Sequence, residues 1–146
     1  MGSDPSVRVR AVVLDTNIVL DALLFDDPAT CALKLALQRG QIRWLATRAM
    51  REEVERVLAY PKIMRRLSLY QLEPHQVLAQ FDAQAQIVAV APKATLTCAD
   101  PDDQKFIDLA LAHQATLISK DKAVLCMAKR MLKLAARAQK AIDFVA

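Results

Sequence analysis

The sequence predicts an α/β fold in which a central parallel sheet of about four to five strands carries helices on both faces. Short apolar segments typical of buried strands alternate along the chain with segments of helical periodicity. Strands separated by helices pair in parallel, because each helix returns the chain to the same end of the sheet. The 146 residues fit one domain, and a hydrophobic share of 54% is enough for its core. We therefore expect a single three-layer α/β/α domain over residues 8–146, after a flexible segment over residues 1–7.

The strands are predicted from their apolar residues. Val7–Leu14 begins with alternation and becomes continuously apolar, which is typical of a strand covered on both faces. The later strands are predicted at Ile42–Ala46, Gln86–Val90 and Ala115–Ser119, with a short edge strand at residues 135–139.

The helices are predicted from apolar spacing together with capping residues. They lie at Ile18–Phe25, Ala29–Arg39, Arg48–Leu58, Lys62–Leu67, Glu73–Ala85, Pro101–His113 and Lys122–Leu134. Thr47 and Asp100 are the expected N-caps, Pro61 and Pro74 open helices, and Gly40 suits a C-terminal cap.

The composition excludes several classes of protein. The two glycines, Gly2 and Gly40, rule out glycine-rich phosphate and dinucleotide loops, which need glycines close together. Three cysteines without a CxxC spacing argue against a disulfide framework and a structural zinc site. Apolar runs fall far below the ~18 residues of a membrane span, and Met1–Val7 lacks the apolar core of a signal peptide. We expect a cytoplasmic protein that contacts no membrane.

Two acidic residues follow predicted strands. Asp15 comes directly after Leu14, and Asp121 follows the strand that ends near Ser119. The carboxyl ends of parallel strands meet at one edge of the sheet, where ligands bind. Taken alone, either acid is equally explained as a helix cap.

Two further acids are expected to face inward from helices. Glu53 lies three residues after Met50 and four before Val57, at the edge of an apolar stripe. Asp103 precedes Phe106 by three residues and shares the inner face of its helix. A carboxylate directed inward needs a partner or a cation, because its desolvation is costly. Hard oxygen ligands suit Mg²⁺ or Mn²⁺, and such clusters commonly serve phosphodiester cleavage.

Three segments of the chain resemble PIN-domain nucleases, in the branch of bacterial toxin components from toxin–antitoxin pairs. They are VVLDTNIVLDALL, EEVERVLAYPKI and DPDDQKFIDLALAHQATLISKDKAVL. The resemblance extends from about Arg8 to Val145. It implies a PIN-like fold, Mg²⁺- or Mn²⁺-dependent endoribonuclease activity, an RNA substrate that is single-stranded or a structured loop, a cognate antitoxin protein and a homodimer.

The resemblance also assigns roles to individual residues. The family's catalytic and metal-binding acids fall on Asp15, Glu53, Asp103 and Asp121. Supporting roles fall on Asn17, which would orient Asp15, and on Ser119, beside the fourth acid. Thr16 and Asn17 are equally explained as a turn that caps the next helix. Asp100 also matches, and its N-cap position explains it without a metal.

The chain departs from the family in two places. Gln114 stands where the family usually has glycine; a left-handed conformation there would cost a non-glycine residue on the order of 1 kcal/mol. The alternative is that this helix ends differently. The last strand lacks the usual branched residues, and we still expect a short edge strand at residues 135–139.

Basic residues beside the acids are candidates for contact with the RNA backbone, which is salt-dependent and does not read sequence. They are Arg48, Arg51, Lys105, Lys120 and Lys122. Solvated helical faces also account for such residues. The net charge of +4 includes the four acids of the expected site, so the remainder of the chain is more basic than that value suggests.

Two other functions are open at this stage. An acid-cluster phosphatase would use a nucleophilic aspartate, although such enzymes have Asp-x-Asp where this chain has Asn17. A catalytically silent PIN-like domain would only bind protein or RNA, and the presence of all four acids counts against that alternative.

Overall fold

The computed structural model describes residues 9–145 and confirms the predicted α/β fold, with a five-stranded parallel sheet flanked by helices. The expected flexible segment, residues 1–7, lies outside the described residues. The strands are β1 (Arg10–Leu14), β2 (Ile42–Ala46), β3 (Ala85–Ile87), β4 (Thr116–Ile118) and β5 (Arg137–Gln139). Ile42–Ala46 matches its prediction in full, and the expected edge strand forms at β5.

The strands lie in the order β3-β2-β1-β4-β5. The chain moves outward from β1 to β3 on one side and then crosses to β4 on the other. Ligands in such sheets bind where the strand order reverses, beyond the carboxyl ends of the strands. Here that position is between β1 and β4, where Leu14 pairs with Ile118.

The helices are α1 (Thr16–Leu23), α2 (Cys31–Gln38), α3 (Arg48–Leu58), α4 (Pro61–Leu69), α5 (Pro74–Gln84), α6 (Gln104–His113), α7 (Lys122–Leu125) and α8 (Ala128–Leu132). Local capping explains several of their starts. The Thr47 hydroxyl accepts a hydrogen bond from Met50 N at the start of α3, as predicted. The Asp100 carboxylate accepts from Asp102 N and begins a 3₁₀ turn over Pro101–Asp103 that leads into α6.

The core lies between the sheet and its helices. Trp44 of β2 is fully buried and packs edge-on against Phe81 of α5, with ring centroids 4.6 Å apart. This packing joins α5 to the sheet beside α3, the helix that carries Glu53.

The segment Lys122–Leu134 was predicted as one helix, and that prediction is wrong. α7 ends in a turn in which Met127 N donates to Val124 O, and α8 starts one residue later. Val124, Met127 and Met131 are all buried. Their spacing is also that of one face of an unbroken helix, so nothing in the structure explains the break.

Gln114 adopts the left-handed conformation, with φ 51° and ψ 44°. The helix therefore ends as it would with glycine, with Ala115 N donating to Ala110 O across the turn. The alternative of a different helix end is wrong, and the chain accepts the steric cost of a side chain here.

Within residues 9–145, no helix is both long and apolar enough to cross a membrane.

Candidate active site

A small cleft opens at the carboxyl edge of the sheet, between β1 and β4. Its volume is about 140 Å³. The cleft brings together all four acids singled out from the sequence. Its lining residues are Asp15, Thr16, Asn17, Glu53, Asp102, Asp103, Phe106 and Asp121. The four acids come from the end of β1, from α3, from the start of α6 and from the loop after β4.

Asp15 forms the back of this cleft and is only 4% exposed. Its Oδ1 accepts a hydrogen bond from Ile18 N at 3.0 Å, which caps α1, and its Oδ2 accepts from Ser119 Oγ at 2.5 Å. Burial raises the pKa of Asp15, although the Ser119 hydroxyl and the Ile18 amide oppose that effect. The carboxylate of Asp15 is therefore held by the first turn of α1 and by Ser119, which directly follows β4.

Ser119 connects Asp15 to Asp121. It is fully buried, and its hydroxyl oxygen accepts from Asp121 N at 3.0 Å while donating to Asp15. The Asp121 carboxylate accepts from Ala123 N at 2.9 Å and so caps α7. The two hydrogen bonds that orient Asp15 thus come from Ile18 and Ser119, whereas Asn17 is an exposed residue at the cleft wall.

Asp103, Asp121 and Asp100 form the densest group of carboxylates. One oxygen from each of the three lies within 4.8 Å of the other two. Asp100 serves as the predicted N-cap, and the family resemblance gives it only a supporting position beside the four acids. Three negative charges this close repel each other unless a proton or a cation lies among them.

Asp103 shows the effect of that repulsion. It is 8% exposed, and its pKa is raised to about 7. The main cause is burial, followed by a hydrogen bond that favours the protonated form beside Asp121, and then by the charges of Asp121, Asp100 and Asp15. Within the described chain, Asp103 Oδ2 is buried and has no hydrogen-bond partner.

Glu53 occupies the other side of the cleft and is half-buried. Its Oε1 accepts from Lys105 Nζ at 2.9 Å, and its Oε2 accepts from the Thr16 hydroxyl. Lys105 also donates to the Asp102 carbonyl oxygen at 2.9 Å. Glu53 is therefore neutralised by a cation of the chain itself, which the Asp103 group lacks among the described residues.

The donor set fits a divalent cation. The oxygens of Asp103, Asp121 and Asp100 are the hard ligands that Mg²⁺ and Mn²⁺ prefer, and no histidine or cysteine of residues 9–145 lines the cleft. The unpartnered Oδ2 of Asp103 is buried among negative charges, which is a costly arrangement that a bound cation would relieve.

The basic candidates divide into paired and exposed residues. Arg51 forms a two-pronged ion pair with Asp82, at 2.6 and 2.9 Å, and Lys120 pairs with the buried Asp21 at 2.8 Å. Arg48 and Lys122 are exposed. Arg48 and Arg51 line a separate cleft that also contains Glu52, Glu55 and Asp82, so acids offset their charge there.

Sequence reasoning missed two contacts, the ion pair of Lys105 with Glu53 and that of Lys120 with Asp21. The only sequence signal for the second was an acid, Asp21, inside the apolar helix α1. The first had no local signal, because 52 residues separate its partners.

A parallel sheet with a carboxylate cleft at the reversal of strand order suits the binding of a divalent cation. The family model described as PIN domain matches residues 11–123, so the chain belongs to the PIN-domain family. PIN domains are generally metal-dependent nucleases. No protein of curated function matches the chain in sequence.

Proposed function

We propose that this chain is an Mg²⁺- or Mn²⁺-dependent endoribonuclease, that residues 8–146 are its single domain, and that its active site is the acidic cleft. The observation that carries the proposal is Asp103: a buried carboxylate with an unpartnered oxygen, within 4.8 Å of two other carboxylates. Family membership supports the same class of activity.

The residues of the cleft have different parts in the proposal. Asp103 and Asp121 offer oxygens at the surface of the cleft, and Asp15 places a third carboxylate behind them. Ser119 fixes the distance between Asp15 and Asp121 through its two hydrogen bonds. Thr16 holds Glu53 at the opposite wall, while Asn17 lines the cleft and Asp100 adds charge beside Asp103.

A bound divalent cation would supply positive charge for the scissile phosphate and the leaving oxygen and would lower the pKa of the attacking water. Glu53 faces the cleft from α3, which suits it to orient that water. Its hydrogen bonds to Lys105 and Thr16 fix the carboxylate in place for that work.

A phosphatase with a nucleophilic aspartate is less consistent with the geometry. Asp15 is the acid that follows the first strand, where such enzymes carry the nucleophile. Both of its oxygens accept hydrogen bonds, and the side chain is almost fully buried. Asp15 therefore suits the support of a cation better than attack on phosphorus.

RNA is the proposed substrate, bound through its backbone. Lys122 is exposed next to Asp121, so it is the best-placed candidate for phosphate contact at the cleft. Arg48 is a more distant candidate, while Arg51, Lys105 and Lys120 would have to exchange an existing ion pair for a phosphate.

The biological role proposed is that of the toxin of a cytoplasmic toxin–antitoxin pair, with a cognate antitoxin protein and a homodimeric state. The resemblance of the acidic segments to that branch of PIN domains is the basis for this role. Expression of the wild-type chain in a bacterial host should arrest growth, and co-expression of the neighbouring gene should relieve the arrest. Unimpaired growth at high expression of an active enzyme would contradict the role. Sedimentation at micromolar concentration tests the homodimer.

The nuclease activity is tested with single-stranded and hairpin RNA oligonucleotides in Mg²⁺ or Mn²⁺. We expect internal cleavage that EDTA abolishes and that Asp15→Asn reduces to background. Asp143→Asn, an equal change of charge at an exposed residue outside the cleft, is the matched control and should cleave normally. Cleavage that persists in EDTA and in Asp15→Asn would refute the proposal.

A further inference from the structure

Lys105 lies at the edge of the acidic cleft, where several contacts hold it against residues of the cleft wall. Its ammonium donates to Glu53 Oε1 and to the Asp102 carbonyl oxygen, both at 2.9 Å. The same nitrogen lies 4.9 Å from the centre of the Phe106 ring, within the range of a cation–π contact. These contacts come from α3, from the turn before α6 and from α6 itself. Such anchoring differs from that of a typical surface lysine, whose single ion pair leaves the long side chain free to move.

The positive charge of Lys105 is therefore located on one side of the cleft only. On that side, both oxygens of Glu53 already accept hydrogen bonds, from Lys105 and Thr16. On the other side, Asp100, Asp103 and Asp121 cluster with an unpartnered buried oxygen on Asp103. Among the described residues, the group of Asp100, Asp103 and Asp121 therefore has no compensating cation. Glu53 already has one in Lys105.

We propose that the cleft binds a single divalent cation, at the Asp103 and Asp121 side, and that the Lys105 ammonium takes the place of a second cation beside Glu53. This inference rests on the proposed function and specifies how its site is charged. Lys105 acts as a positioning residue, because it holds Glu53 toward the cleft and places a positive charge at the wall.

Electrostatics gives the physical reason for a single cation. A second divalent ion beside Glu53 would have to displace the ammonium from an ion pair that is about two-thirds shielded from solvent. If the ammonium stayed beside Glu53, a second divalent ion bound to Glu53 would lie close to it. The two positive charges would then repel each other strongly, because the site is partly shielded from water. Removal of the ammonium leaves Glu53 without a compensating charge and opens that side to a second ion.

The test is the number of Mn²⁺ ions bound per chain, measured by isothermal titration calorimetry and by native mass spectrometry without RNA. We expect one ion for wild type, two for Lys105→Ala, and one for Lys105→Arg, which keeps the charge. The double variant Lys105→Ala with Glu53→Gln should return to one ion, because the freed carboxylate is absent.

Lys129→Ala is the matched control. It removes an equal charge from an exposed lysine outside the cleft, and it should bind one Mn²⁺ ion with the affinity of wild type. Circular dichroism of each variant checks that it is folded.

Two ions on the wild type, or one ion on folded Lys105→Ala, would overturn the role of Lys105 and leave the nuclease proposal standing. A wild-type chain that cleaves RNA only with metal and binds one ion supports both. A wild-type chain that binds no ion overturns both.

Discussion

The clearest consequence of the acidic cleft is that Asp103 destabilises the metal-free protein at neutral pH. We expect Asp103→Asn to raise the free energy of unfolding in EDTA, because an amide removes one charge from the cluster. The introduced amide can also donate a hydrogen bond to the carboxylate of Asp121. An ionised carboxylate at position 103 has no proton to donate and repels Asp121 instead. The same substitution should abolish metal-dependent activity.

The magnitude follows from the pKa of Asp103, which rises from an ordinary 3.8 to about 7. The folded state therefore binds this proton more tightly than the unfolded chain. Its contribution to stability is complete below pH 3.8 and is lost as pH rises through 7. The shift corresponds to at most about 4 kcal/mol. We expect about half of that, ~2 kcal/mol, because the cleft is open to solvent and the carboxylates can move apart.

The assay is urea and thermal denaturation in EDTA at pH 5 and pH 8. At pH 8 Asp103→Asn should melt about 6 °C above wild type, and at pH 5 the difference should be much smaller. Saturating Mg²⁺ should reverse the order, because only the wild type gains stability from the bound ion. Asp102→Asn, at the exposed neighbouring residue, should change stability by less than about 0.5 kcal/mol. A metal-free Asp103→Asn protein that is less stable than wild type at pH 8 would refute the reasoning.

Three other substitutions test separate parts of the account. Gln114→Gly should raise the free energy of unfolding by about 1 kcal/mol in urea denaturation, because Gln114 is in the left-handed region. His113→Gly, one residue earlier in the helix, should lower the free energy of unfolding. Equal effects of the two substitutions would contradict the role of the left-handed conformation. Ser119→Ala should lower the free energy of unfolding by about 1–3 kcal/mol, because it leaves Asp15 Oδ2 and Asp121 N without a partner. The same substitution should raise the pKa of Asp15 further, which carboxyl NMR titration measures. An unchanged pKa would count against the Ser119 bridge between Asp15 and Asp121. Lys122→Ala should reduce the slope of the logarithm of the RNA-binding constant against the logarithm of salt concentration by about 1. Lys120→Ala should mainly reduce stability, because it leaves the buried Asp21 unpaired. Equal losses of RNA affinity would show that exposure does not decide which lysine binds RNA.

The sheet and its acids were predictable because their signals are local. The apolar run that ends at Leu14 and the Thr47 cap of α3 each involve a few consecutive residues, and both appear in the structure. Periodicity alone placed Glu53 and Asp103 on inward faces, and both line the cleft. Parallel pairing then brings them to one edge with Asp15 and Asp121.

The features that escaped prediction depend on distant residues. Lys105 appeared as one of several basic residues beside an acid, and only the folded chain places it on Glu53, 52 residues away. The turn between α7 and α8 contains no glycine or proline, so the sequence carries no local signal for it. The cap position accounts for Asp100 in the sequence, and only the folded turn shows that its carboxylate lies close to Asp103 and Asp121.

The central claim is that the cluster around Asp103 binds the cation on which RNA cleavage depends. A crystal soaked in Mn²⁺, with anomalous diffraction data, locates that ion directly. The account predicts an anomalous peak in the cleft about 2.1 Å from Asp103 Oδ2 and within ligand distance of Asp121. A crystal without a peak there, at an Mn²⁺ concentration that supports cleavage in solution, would contradict it.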